Sequence, residues 1–138
     1  MKLSARNLAA LAVLLAPPGE DPIEVDFASL SDFDYREGMT LPAHVTRLDT
    51  KKIRISGFMR SEDGSNGPTE FFMLINDACG CAGTPFLNEI VFCAMPPGQK
   101  VDIEPGTVEL TGTLYVGEVR EDGVVISLYE MDVDTVQD

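Results

Sequence analysis

The stretch Asp77-Ala78-Cys79-Gly80-Cys81-Ala82-Gly83-Thr84-Pro85-Phe86-Leu87-Asn88-Glu89 holds two of the chain's three cysteines, one residue apart. Their small neighbours Ala78, Gly80, Ala82 and Gly83 leave the sulfurs accessible and the backbone free to curl, as reactivity or ligation requires. A disulfide between Cys79 and Cys81 would close a very small, strained and easily reduced ring, suited to redox use rather than to structural support. A metal could take both thiolates, yet zinc usually wants four ligands, and C-x-C departs from the common C-x2-4-C spacing. His44, Asp77, Glu89 or a second subunit would have to complete such a shell. Packing without chemistry is the third reading. Cys93 is a different case, because it lies within the apolar run Glu89 to Met95 and is expected to act as a small buried hydrophobe.

Other chemistry is sparse. The chain has no G-x-G-x-x-G, P-loop, G-x-S-x-G or H-E-x-x-H pattern. Its single histidine, His44, can join a Ser-His or Cys-His pair only if the segment Leu41 to Asp49 folds against the nucleophile. We therefore expect a non-catalytic protein, with thiol redox activity as the main enzymatic alternative. Ten Lys and Arg against 23 Asp and Glu give a formal net charge of -13, which repels phosphate backbones and anionic lipid surfaces. Nucleic acid is not an expected partner. Lys51, Lys52 and Arg54 form the basic cluster and read as charges guarding a strand edge. The acidic residues from Glu20 to Glu37 read as a solvated face rather than a calcium loop, since no D-x-D-x-D-G pattern is present.

The 138 residues, 44% hydrophobic, suit one domain. Lys2 and Arg6 precede the wholly apolar Leu8 to Ala16, after which polarity returns at once, the outline of a secretory signal. Nine apolar residues are too few for a helix that crosses a bilayer, so no integral membrane span is expected. The organisation read from the sequence is a signal peptide over 1–16, a linker over 17–22 and a single domain over 23–138, exported to the periplasm or another extracytoplasmic space.

Within that domain the run Ile23 to Phe27 alternates apolar and acidic residues as a half-buried strand does. Leu41, Val45 and Leu48 fall on one helical face behind Pro42, predicting one short helix. Strands follow over Lys51–Met59, Glu70–Ile75, Glu89–Met95, Thr107–Val119 and Val124–Val133, with Glu121-Asp122-Gly123 as a hairpin turn. Ile90, Phe92 and Ala94 occupy one face of their strand and Val91, Cys93 and Met95 the other, so this strand is expected to be central. The fold class is mainly β, a small antiparallel OB-like barrel, with Gly57 and Gly112 placed where strands bend sharply.

The succession KKIRISGFM, EFFMLI, CGCAGTPFLNEIVF and VELTGTLYVGE resembles the bacterial domain-of-unknown-function family 3299, from about Phe27 onward. In that family a G-F/Y-M strand is followed by a cysteine loop ending in P-x-x-N. Cys79, Pro85, Asn88, Ile90 and Val91 match the loop form C-x-H-x-P-P-P-x-x-N-Q-I-V without a gap, and Glu89 matches the form C-C-F-G-x-x-P-x-x-N-E. Where the first form has histidine this chain has Cys81, and the property those residues share is binding of soft or borderline metals. The resemblance implies an exported accessory or binding protein, with an ABC-type transporter or another envelope protein as partner. The residue reading adds zinc or another transition metal held by Cys79, Cys81 and His44, with Pro85 and Asn88 organising the loop. A homodimer could supply further ligands. A thiol redox protein and a structural interaction module without a small-molecule site are the rivals.

Overall fold

The computed structural model describes residues 21–61, 67–75 and 85–137. The expected signal segment 1–16 and the pair Cys79 and Cys81 lie outside the described residues. In chain order the elements are β1 (Ile23–Val25), α1 (Phe27–Leu30), α2 (Ala43–Thr46), β2 (Lys51–Arg60), β3 (Glu70–Leu74), a 3-10 turn (Leu87–Glu89), β4 (Ile90–Ala94), β5 (Thr107–Glu121) and β6 (Val124–Gln137). β2 pairs with β3, β3 with β4, β4 with β6, β6 with β5, and β5 back with β2, so five strands form one barrel-like ring. This is the OB-like, mainly β architecture read from the alternation.

The ring is antiparallel at every seam but one. β4 and β6 run parallel, with Phe92, Cys93 and Ala94 opposite Glu130, Met131 and Asp132. Five is an odd number, so strands that alternate direction around a closed ring must meet once in the same direction. β1 is also parallel, laid beside Ile53 to Ile55 of β2.

Side-chain alternation places the core. Ile53, Ile55 and Met59 of β2, Phe71 and Met73 of β3, and Val91 and Cys93 of β4 point inward, with Val108, Leu110 and Leu114 of β5 opposite. Burial pushes the Cys93 thiol well above its ordinary pKa, as expected for a cysteine that packs rather than reacts. Gly57 and Gly112 lie inside continuous strands, and the β5–β6 register shifts between Thr111 and Gly112. At the β5–β6 turn Asp122 and Gly123 both have positive φ, 52° and 79°, the conformation that matches a tight turn to the twist of its strands.

Three expectations are corrected. The first strand ends at Val25, because the Asp26 carboxylate accepts from Ala28 N at 3.1 Å and starts α1 at Phe27, as N-cap aspartates do. There are thus two short helices among the described residues, not one. Lys51, Lys52 and Arg54 guard no edge, since β2 is flanked by β1 and β3 on one side and β5 on the other. Instead Lys52 pairs with Asp134 at 3.1 Å, and Arg54 pairs with Glu24 and, at 3.5 Å, with Glu109. Phe27, Leu30, Val45 and Leu48 bury against the same core, so the two helices pack onto the barrel interior.

Candidate functional site

Residues 29–33, which span the C-terminal half of α1 and the chain just after it, carry carbonyls that a four-residue helix cannot satisfy within itself. Three side chains from distant elements take them. The Tyr129 hydroxyl donates to Leu30 O at 2.7 Å. Asn88 Nδ2 donates to Phe33 O at 2.7 Å, and His44 Nε2 lies 3.0 Å from Ser29 O and 3.1 Å from Asp32 Oδ1. Asn88 and Tyr129 are buried, whereas the His44 side chain is 39% exposed.

The His44 contacts define its chemistry. A carbonyl can only accept, so Nε2 carries the proton and shares it between Ser29 O and the Asp32 carboxylate. Nδ1 has no partner among the described residues. Carboxylate and carbonyl support of one imidazole nitrogen is how ligating histidines are held in the right tautomer. The ring borders an open cleft of about 420 Å³ formed with Ile23, Val25, Ser29, Arg47 and Leu48.

Asn88 belongs to the 3-10 turn from which the cysteine loop emerges. Glu89 closes this turn, its Oε1 accepting from Phe86 N at 2.9 Å while Glu89 N donates to Phe86 O at 2.9 Å. Pro85 precedes it. The C-terminal stem of the loop and His44 are therefore anchored to one short strip of chain, residues 29–33, although they are 44 positions apart in sequence. Among the described residues no group of three His, Cys, Asp or Glu side chains is placed to hold a metal. No helix among them is long and apolar enough to cross a membrane.

A second polar cluster went unread in the sequence. Glu118 of β5 accepts from the Tyr35 hydroxyl and, at 2.8 Å, from Gly38 N, while Arg120 bridges Glu37 and Glu118, the latter at 3.2 Å. The Tyr35 bond above all, then the Gly38 N–H, holds the Glu118 carboxyl below its ordinary pKa. Tyr35 is pushed up to about 12 from 10.0, first by burial and then by Glu118. A group whose folded pKa is raised stabilises the fold below its unfolded pKa and loses that contribution as pH rises through the folded value. Urea midpoints between pH 10 and about 12 should therefore fall less steeply for Tyr35→Phe than for the wild type. Equal slopes would show that this hydroxyl titrates alike in folded and unfolded chains. Neither this cluster nor Asp32 had a sequence signal, because the partners sit on separate segments, Tyr35 to Gly38 against Glu118 and Arg120 in the cluster, with no shared period.

The ring order and strand directions define a small β domain of the OB type. The chain belongs to the DUF3299 family, a family of unknown function, whose match spans residues 22–138. Among solved structures it is similar to the crystal structure of a DUF3299 family protein from Pseudomonas aeruginosa PAO1, with 17% identity and a TM-score of 0.59. That likeness covers 86% of this chain and 96% of the other, and at this identity it speaks for the fold alone. A Leishmania major structure given as a putative aspartyl-tRNA synthetase aligns at 13% identity and a TM-score of 0.42, over 96% of this chain and 26% of that one. That similarity is too low to bear on fold or function. No curated protein matches the chain.

Proposed function

We propose that the protein is a non-catalytic, exported binding protein that takes a transition metal such as zinc through Cys79, Cys81 and His44, as an accessory to a transport or envelope system. The observation that carries this reading is the anchoring of His44. With Nε2–H held by Ser29 O and Asp32, its Nδ1 has the support that metal-binding imidazoles use. The loop stem at Asn88 reaches the same strip of chain through Phe33 O. Two thiolates one residue apart, with histidine in place of Cys81 in the related loop form, supply the complementary soft donors. Pro85 and Asn88 fix the loop's exit, and water, a carboxylate or a second copy of the chain completes the shell.

Metal analysis with thiol counting on the full chain, purified without chelator and exposed to zinc, tests this. The expected result is one ion per chain, lost in Cys79→Ser and in Cys81→Ser and retained in Cys93→Ala. His44→Ala and Asp32→Asn should each weaken binding by about tenfold or more, the usual cost of losing a ligand or its support. Acidification should release the metal, because protons compete for the thiolates. A metal-free protein with both thiols reduced would leave packing as the role of the pair. A reversible Cys79–Cys81 disulfide without metal would favour the redox rival.

A further inference from the structure

Residues 32–41 lead from α1 to α2 without helix or strand. Among the described residues their main chain makes a single bond to another main-chain group, Met39 N to Arg36 O at 3.1 Å. A segment so poor in main-chain bonds takes its path from the side chains that tie it down. Two groups of ties act on it. Near its start the Asp32 carboxylate lies 3.1 Å from His44 Nε2, and Phe33 O accepts from the Asn88 amide at 2.7 Å. Further along, one oxygen of Glu118 on β5 accepts both the Tyr35 hydroxyl and, at 2.8 Å, the Gly38 N–H. The other Glu118 oxygen accepts from Arg120 at 3.2 Å.

The second group of ties bears on the first. Asp32 and Tyr35 are three positions apart, at most about 11 Å of extended chain, so slack released at Tyr35 reaches Asp32 and Phe33 directly. Glu37, on the same segment, would repel the Glu118 carboxylate, and Arg120 pairs with both. Glu118 thus gathers charge-assisted bonds from two points of the segment onto a side chain only 18% exposed. We propose that Glu118 is a positioning residue for His44 and for the stem of the cysteine loop. By clamping Tyr35 and Gly38 it fixes the path of residues 32–38, and with it the Asp32 carboxylate that meets His44 and the Phe33 carbonyl that holds Asn88. Its bearing on metal binding rests on the reading above, whereas the coupling itself exists without metal.

The single histidine makes the test unambiguous. The ring nitrogen NMR signals of His44 report which nitrogen holds the proton and how firmly. They are read on the full chain, freed of metal by chelator, at about pH 8.5, where an imidazole is neutral. Asp32→Ala gives the direction in which these signals move when the carboxylate is lost. Glu118→Leu, which removes the acceptor and keeps the bulk, should move them in the same direction by a smaller amount, and should shift the Asn88 side-chain amide signals as well. Tyr35→Phe, which removes one hydroxyl and keeps the ring packed on the core, should do the same to a lesser extent. Glu118→Gln retains an acceptor oxygen and should restore most of the shift. Glu109→Gln removes a carboxylate from the same strand, where Arg54 lies 3.5 Å away, and should leave His44 and Asn88 unmoved. If Glu118→Leu fails to fold, by far-ultraviolet circular dichroism, Tyr35→Phe carries the test. Because no metal is present, the outcome is the same whether or not the chain binds zinc, and the two readings fail separately. Unmoved His44 and Asn88 signals in the clamp variants, or equal movement in Glu109→Gln, would overturn the proposal.

Discussion

Replacing Gly112 with alanine is expected to destabilise the protein by about 3 kcal/mol, at the upper end of what overpacking costs. A Cβ at this position would stand 2.3 Å from Asp132 O and 3.0 Å from Val133 Cα, both backbone atoms of the neighbouring strand. Backbone cannot swing aside as a side chain can. The position also sits at the β5–β6 register shift, so relief would require breaking the pairing that holds the longest strands together. Gly57→Ala should cost less. The nearest atom it would meet is the flexible Met73 Cγ at 2.7 Å, although Leu74 O at 2.9 Å keeps the change from being free. Urea denaturation of both variants gives the comparison, and a Gly112→Ala protein within about 1 kcal/mol of wild type would refute the close approach.

Tyr129 should show an equally large effect that divides into two parts. It is the largest fully buried side chain among the described residues, and its hydroxyl donates to Leu30 O. Truncation to alanine is expected to cost about 4 kcal/mol, as for other buried aromatic rings. Phenylalanine keeps the ring and leaves the carbonyl unpaired, so about 1 to 2 kcal/mol is expected. The difference between the variants measures the ring and the phenylalanine value the bond. A Tyr129→Phe protein as stable as wild type would mean that another donor replaces the hydroxyl.

The strands were legible because each alternates inward and outward residues, and Cys93 was legible for the same reason. The helix at Phe27 was hidden by a preceding strand whose alternation runs on into it, and the signal that breaks it, the capping Asp26, reads equally well as the polar residue of that alternation. Lys51, Lys52 and Arg54 misled because charges on an outward face look the same on an edge strand as on an inner one with acidic neighbours. In the site, histidine and cysteine announced candidate chemistry by type alone. What positions His44 did not show, since its partners are a main-chain carbonyl and Asp32, which are joined to it by the path of a loop and not by any periodicity. Asn88 was expected to organise the cysteine loop, and its bond to Phe33 was not legible because it depends on how α1 packs on the barrel.

The parallel meeting of β4 and β6 also fixes an order of assembly. β5 and β6 are joined by a two-residue turn, so their pairing closes a minimal loop and can form early. The seam between Phe92 and Glu130 joins residues 38 positions apart and must wait for that hairpin to reach β4. Contacts of such separation slow folding, and this seam, like the one between β2 and β3, is held by only three registered pairs. Amide protons along Phe92 to Ala94 should consequently exchange through partial openings of the ring, while those at the middle of β5 exchange only when the whole domain unfolds.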